Sequence, residues 1–343
     1  MSSASDQTLA QARPRETATR AAPPGGWQLL ALGSELAAPV TGLALGSRAL
    51  VAIRMNEGGE AGRGAVRVFD GTCPHRGAHL GFGGRVTGPQ SITCPFHGKR
   101  IGLGAGSGRL CVREHETIDA GGAVFVRLGD VPAPDYGFEA VLANLSESHE
   151  IVAAVAGPVG VPPELIIENA FDFSHFPTVH LIPRVDRPKV WLGDSGELNL
   201  MTAFHTRAPD WEAADGEFTS HFHARAFNPS LVVSELGSGE SAKFVITGAV
   251  PAGAGCVARI ALAVRRGEAE ATVSALVDGS RIAFEEDLLV WNHLDLAAPA
   301  QLDSADTPVL AFRAFCASFR SAAARPPDRA SRPGPAPMAA AGG

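Results

Sequence analysis

The sequence predicts an α+β chain in two units, an N-terminal all-β unit followed by an antiparallel sheet with helices packed against it. Three observations carry this prediction. The chain has 343 residues, about twice the usual single domain. It holds 39 glycines and 25 prolines, which favours turns and short strands over long helices. Its apolar runs are short and cut by turn formers, with helical spacing in only a few places.

In chain order, residues 1–25 are Ala, Pro, Arg, Ser and Gly with almost no large apolar side chains, and so are residues 321–343. Neither can offset its ordering entropy by burial, so both are expected to be flexible tails. Residues 26–132 carry WQLLAL, ALVAIRM, AVRVFD, SITC and AVFVRL, which read as strands of a small all-β unit. The turn-rich VPAPDYG, Val131 to Gly137, reads as a linker. The second unit, 133–320, opens with a strand-like stretch. PPELIIENAFDFSHF follows and reads as a helix of about three turns opened by Pro163. FTSHFHARAF, SLVVSEL, AKFVITGAV, VARIALAV and ATVSALV read as antiparallel strands, and LAFRAFCASFR as a closing helix.

Composition excludes several classes. Hydrophobic residues make up 45% and charged ones 19%, which describes a globular interior. Twenty-nine basic against thirty-six acidic residues give a net charge of −7 with no basic block, so a nucleic-acid partner is not expected. No apolar run approaches the roughly eighteen residues of a membrane span. The N-terminal MSSASDQTLAQARPRETATR has no apolar secretion segment, and Asp6 and Glu16 oppose an organelle presequence, so a cytoplasmic protein is expected. Five cysteines do not suggest a disulfide framework. Metal binding is the better question.

The strongest motif is CPHRGAHLGFGG followed by SITCPFHGKR. It places Cys73 and His75 in one loop, and Cys94 and His97 in another. Such a set suits a tetrahedral zinc, or a two-iron, two-sulfur cluster in which histidines replace the cysteines on one iron. Each loop contributes one Cys and one His, so each iron can draw a matching pair across the loops, which favours the cluster. Gly77, Gly83, Gly84 and Gly98 are expected to let the backbone pass close to bridging sulfides. This pattern resembles a Rieske domain. Rieske proteins that oxidise quinols clamp the two loops with an extra disulfide, whereas the corresponding positions here are Ala78 and Phe96. The resemblance is therefore to the oxygenase-associated type. Cys111, Cys256 and Cys316 read as small apolar residues.

An iron that activates dioxygen commonly binds two histidines and one carboxylate on one face. In ENAFDFSHFPTVH, Asp172 and His175 share a helix face. His180 would lie about 140° beyond His175 on an unbroken helix, and Pro177 is expected to break that helix and let His180 swing back. With Asn169 added, the set is similar to the N-x-x-D-x-x-H-x-x-x-x-H segment of Rieske non-haem iron oxygenases, and the resemblance runs from about Trp27 to Phe319.

That resemblance implies a helix-grip catalytic domain whose mononuclear Fe(II) is held by His175, His180 and a downstream aspartate. EEDLLVWNHLD, similar to the ketosteroid-hydroxylase branch, offers Asp287, with Glu286 as the second candidate. It implies a 2Fe-2S cluster on Cys73, His75, Cys94 and His97, with Asn169 and Asp172 as catalytic positions. The Asp172 carboxylate would bridge His97 of one subunit to His175 of another in a ring-shaped homotrimer. No dinucleotide fingerprint is present, so electrons must come from a ferredoxin, a reductase or both. The implied reaction uses O2 to hydroxylate, demethylate or cyclise a small hydrophobic substrate, polycyclic or steroid-like. One tyrosine among seventeen phenylalanines agrees with an apolar cavity. His221 and His223 share one face of a strand, where they line the cavity or are ordinary half-buried residues. His205 and His293 are similar, and GLGAGSG, Gly102 to Gly108, reads as a flexible turn. A Rieske electron carrier without oxygenase activity and a zinc-binding module remain as alternatives.

Overall fold

The structure is a computed structural model that describes residues 24–55, 61–104, 106, 108–129, 133–207, 217–239 and 242–323. Apart from 24–25 and 321–323, the expected tails lie outside the described residues, as do Val131 and Pro132 of the linker. The N-terminal unit contains β1 (Trp27–Leu32), β2 (Val40–Leu45), β3 (Arg48–Met55), β4 (Ala61–Asp70), β5 (Arg85–Gly88), β6 (Ser91–Thr93), β7 (Arg100–Leu103), β8 (Cys111–Val112), β9 (Glu114–Asp119) and β10 (Ala123–Arg127). Six of these form one sheet in the order β1-β10-β9-β4-β3-β2, and β5-β6-β7-β8 form a second. The segment of Cys73 and His75 connects β4 to β5, and that of Cys94 and His97 connects β6 to β7. Gly102 and Leu103, expected in a flexible turn, belong to β7.

The second unit runs α1 (Phe138–Ser148), β11 (His149–Val159), α2 (Pro163–Glu168), α3 (His175–Val179), β12 (Arg184–Val185), β13 (Lys189–Leu192), β14 (Leu198–Arg207), β15 (Glu217–Asn228), β16 (Leu231–Leu236), β17 (Lys243–Ala252), β18 (Gly255–Arg265), α4 (Glu270–Trp291) and α5 (Thr307–Ala323). The strands make an eight-stranded sheet ordered β11-β18-β17-β16-β15-β14-β12, with β13 also paired to β14. One face packs on the N-terminal unit. Leu29 and Phe125 of that unit, with Phe138 of α1, bury against Phe227, Ile246 and Ala261, and the contact is tight enough that a Cβ on Gly248 would lie 2.4 Å from that of Leu29. Polar bonds cross the same junction. The Asn228 amide donates to the Trp27 carbonyl at 2.7 Å, and Arg259 donates to Glu35 at 2.7 and 2.9 Å. The opposite face, with α4 lying across it, is open for a site.

Three local expectations are corrected. The second unit opens with a helix, not a strand: α1 places Phe138, Leu142 and Leu145 on one buried face, and Asp135 accepts the Gly137 and Glu139 amides at its start. ATVSALV lies inside α4, because its β-branched residues mimic a strand only in a window too short to show the helix that continues to Trp291. PPELIIENAFDFSHF is not one helix. It leaves helical geometry at Asp172, with φ −94 and ψ 89, where the Asp172 carboxylate accepts the Ser174 amide in an aspartate turn. Pro177 does not break α3 but is its third residue, a first-turn position where the missing amide hydrogen is no loss. The chain turns at the end of α3 instead, with His180 at φ −98 and ψ 7 and Leu181 left-handed at φ 54.

Candidate metal centres

The two cysteine loops are built alike. The Gly77 amide donates to the Cys73 carbonyl at 2.9 Å and the Gly98 amide to the Cys94 carbonyl at 3.1 Å. The Cys73 amide donates to Ala78 and the Cys94 amide to Lys99, each at 2.8 Å. Gly77 and Gly98 have φ of 75 and 63, and a Cβ on either would meet nothing within 4 Å. These two glycines supply a left-handed turn, a conformation that suits glycine. Crowding is real at Gly84, where a Cβ would sit 2.1 Å from the Leu80 carbonyl oxygen.

Both sulfurs are buried, Cys73 at 2% and Cys94 at 1% exposure, while His75 and His97 are exposed with ring centroids 4.9 Å apart. Main-chain amides of His75 and Arg76 point at the Cys73 sulfur, and those of Phe96 and His97 at the Cys94 sulfur. Burial pushes both thiols up; Cys73 ends above its ordinary value, and at Cys94 the amides and the Cys73 contact carry the net shift down. Such amide-lined sulfurs suit thiolate ligands. Among the described residues, the group of His, Cys, Asp or Glu ligand atoms all within 4.8 Å of one another is His175, His180 and Asp287. Two buried sulfurs and two exposed imidazoles drawn from paired loops fit a two-iron, two-sulfur cluster. Phe96, at the position of a disulfide partner, packs on His97 with centroids 3.8 Å apart.

The second centre joins α3 to α4. His175 opens α3, His180 follows its last residue, and their rings stand edge to face with centroids 5.0 Å apart. Asp287 Oδ1 lies 3.4 Å from His180 Nε2 and 3.9 Å from His175 Nε2. Both Nδ1 atoms turn outward. That of His175 bonds the main-chain carbonyl of Asp172, and that of His180 lies 2.8 Å from Glu286 Oε2. Asp287, not Glu286, therefore faces the point where both Nε2 atoms meet. The expected contact of the Asp172 carboxylate with His175 is replaced by that carbonyl, while the carboxylate takes the Ser174 amide at 3.0 Å. Burial lowers the His175 pKa below its ordinary value. For His180, burial also lowers it, but the bonds to Asp287 and Glu286 prevail and the net shift is upward. Two imidazoles and a carboxylate on one face match a mononuclear iron site with open positions.

These groups sit in a cavity of about 610 Å³. Its floor takes alternate residues of two paired strands, Val232, Ser234 and Leu236 of β16 and Lys243, Val245 and Thr247 of β17, in register. Phe176, packed on Phe204 and Phe222 at 4.8 and 5.4 Å, walls the metal end. Asn169 lines the same space, and Gly279 of α4 faces it with nothing within 4 Å of a would-be Cβ. The segment before the site is clamped from α5, where Arg313 donates to both oxygens of Glu168 at 2.7 and 2.8 Å. His221 and His223 are not brought here; Phe222 between them faces the cavity, and His223 bonds Asn199 at 2.9 Å. His205 pairs with Asp186 at 3.0 Å, and His293 caps α4 through the Leu289 carbonyl. Ser234, Lys243 and Thr247 were not singled out in the sequence, although the alternation in SLVVSEL and AKFVITGAV marks them as one face of paired strands.

Comparison with known proteins agrees with this geometry. Residues 26–120 match the Rieske [2Fe-2S] domain, and residues 141–319 match the 3-ketosteroid 9alpha-hydroxylase C-terminal domain. The chain belongs to the Rieske non-haem iron oxygenases, in the branch defined by that C-terminal domain. Its cofactors are a Rieske [2Fe-2S] cluster and a mononuclear iron. A cholesterol 7-desaturase of Caenorhabditis elegans is 54% identical over 35 residues, 10% of this chain and 8% of that protein. The fold is similar to that of dicamba monooxygenase bound to 3,6-dichlorosalicylic acid, with TM-score 0.67 and 17% identity, covering 88% of this chain and 99% of the other. It is also similar to NdmB of Pseudomonas putida CBB5, with TM-score 0.59 and 19% identity, covering 87% and 94%. Among the described residues no helix is long and apolar enough to cross a membrane.

Proposed function

We propose that this protein is the terminal oxygenase of a Rieske system, a monooxygenase of a bulky, mostly apolar polycyclic substrate of the steroid class. The observation that carries the reading is the convergence of His175, His180 and Asp287 within a largely apolar cavity of about 610 Å³. A volume in that range suits a molecule of several fused rings. The names of the two sterol-related likenesses, a 3-ketosteroid hydroxylase domain and a cholesterol desaturase, support the same class. Ser234 and Thr247 offer hydroxyls on the floor for a carbonyl or hydroxyl of the substrate, and Asn169 offers an amide near the metal end.

In this reading Cys73, His75, Cys94 and His97 hold the cluster, and His175, His180 and Asp287 hold the iron. When bound, the two groups supply one-electron storage and dioxygen activation respectively. The chain's own residues orient and exclude. The phenylalanine wall keeps water from the reacting carbon, and the paired Nδ1 contacts leave both Nε2 lone pairs facing inward. Electrons come from a separate ferredoxin or reductase. The exposed edge formed by His75 and His97 suits delivery to a neighbouring copy in a trimer, with the Asp172 carboxylate meeting His97 of that copy. Asp172 then joins the two centres by its carboxylate on one side and its carbonyl on the other.

Asp172→Ala tests this arrangement. Both metals are expected to stay bound and turnover of a 3-ketosteroid, supplied with a competent reductase, to fall about 10- to 100-fold, as for loss of an outer partner of a metal site. Undiminished turnover refutes the link. Absence of any oxygen-dependent product from steroid substrates in the wild type refutes the substrate class.

A further inference from the structure

Glu286 precedes Asp287 on α4, about 100° away around the helix. Its side chain is 39% exposed against 15% for Asp287. The Glu286 carboxylate grips the outer nitrogen of His180, Nδ1, at 2.8 Å, while the inner nitrogen, Nε2, faces Asp287. A histidine that keeps Nε2 free for a metal must carry its proton on Nδ1, and that proton needs an acceptor. His175 finds one nearby, the carbonyl of Asp172 three residues earlier. His180 stands where α3 has just ended, and the acceptor its ring meets comes from another element, α4. The two histidines thus have unlike supports, a neutral carbonyl and an anion. An imidazole whose N–H is bonded to a carboxylate is held more firmly and pushes more electron density to its other nitrogen.

We propose that Glu286 is a positioning residue of the mononuclear centre: it fixes the Nδ1–H tautomer and the ring angle of His180, and makes His180 the stronger of the two imidazole donors. The proposal rests on the assignment of iron to His175, His180 and Asp287. It also gives α4 two holds on one ring, Asp287 inside and Glu286 outside.

The test compares wild type, Glu286→Gln and Glu286→Leu, with His175→Ala as a reference, all with the cluster in place. Each is freed of mononuclear iron and titrated with Fe(II) against a competing chelator, and the ring nitrogens of the iron-free proteins are followed by 15N NMR. Glu286→Gln keeps an acceptor oxygen and is expected to retain the tautomer with a smaller loss of affinity. Glu286→Leu is expected to mix the tautomers and to weaken Fe(II) binding about 10- to 100-fold, the usual cost of losing an outer partner. Equal affinity and an unchanged tautomer in Glu286→Leu overturn the proposal. Complete loss of Fe(II) in Glu286→Gln, as in His175→Ala, overturns it differently, by making Glu286 a ligand. If wild type binds no more Fe(II) than His175→Ala, the metal assignment falls and takes the proposal with it.

Discussion

The loops at Cys73 and Cys94 close on themselves within five residues, through the Gly77 and Gly98 amides, whereas the second centre draws His180 and Glu286 together across 106 residues of chain. The first needs only local turns over a small sheet. The second needs α3, α4 and the eight-stranded sheet beneath the cavity to be in place. A disturbance of long-range packing should therefore reach the second centre and spare the first, while a change in loop geometry should do the reverse.

The sharpest way to separate them is His175→Ala. One iron per chain fewer and loss of turnover are expected, with the optical and paramagnetic signature of the reduced cluster unchanged. Loss of the cluster signal as well would show that the two centres fold as one. Phe312→Ala tests the dependence on packing. Phe312 is fully buried and stacks on Phe171 with centroids 5.1 Å apart, so its truncation should cost about 3–5 kcal/mol in denaturant unfolding of the second unit. Fe(II) affinity should fall with it, and the cluster spectrum should not.

Gly98→Ala probes the reverse case. At φ 63 a side chain costs about 1–2 kcal/mol, and the effect should appear as a shifted cluster signal with the Fe(II) affinity of the second centre intact. Near neutral pH the smallest effect belongs to Cys256. Burial, reinforced by the charge of Glu164, pushes its thiol from 9.0 to about 12. The folded chain keeps this proton after the unfolded chain has lost it, so stability declines as pH rises from 9.0 towards about 12. Cys256→Ala should flatten that part of the stability curve. Thiol reagents at pH 8 should label half-exposed Cys111 and leave Cys256 unmodified.

The same contrast explains what could be read from the sequence. Cys73, His75, Cys94 and His97 are legible as a motif because they stand at short spacing in two loops that each close within five residues. His175 and His180 are legible as residues, but the device that joins them is not. Pro177 looks like a helix breaker in a linear pattern, yet its place in α3 follows from the turn at Asp172, which only the Ser174 amide reveals. Asp287 and Glu286 are adjacent carboxylates in sequence. Their roles separate only because α4 is a helix, a fact hidden by the β-branched Thr272, Val273 and Val277 at its start. The helix α1 was concealed in another way. Its Phe138, Leu142 and Leu145 have helical spacing, but they follow the turn formers of Val131 to Gly137 so closely that the segment passes for connecting chain.

Gly279 sits in the middle of α4, where an alanine would meet no neighbouring atom and would strengthen the helix by up to about 1 kcal/mol. Cohesion is thus forgone at the position where a methyl group would narrow the room above β17. Breadth of accepted molecules and resistance to heat are set against each other at one backbone position, and a single carbon atom there would move the balance from the first towards the second.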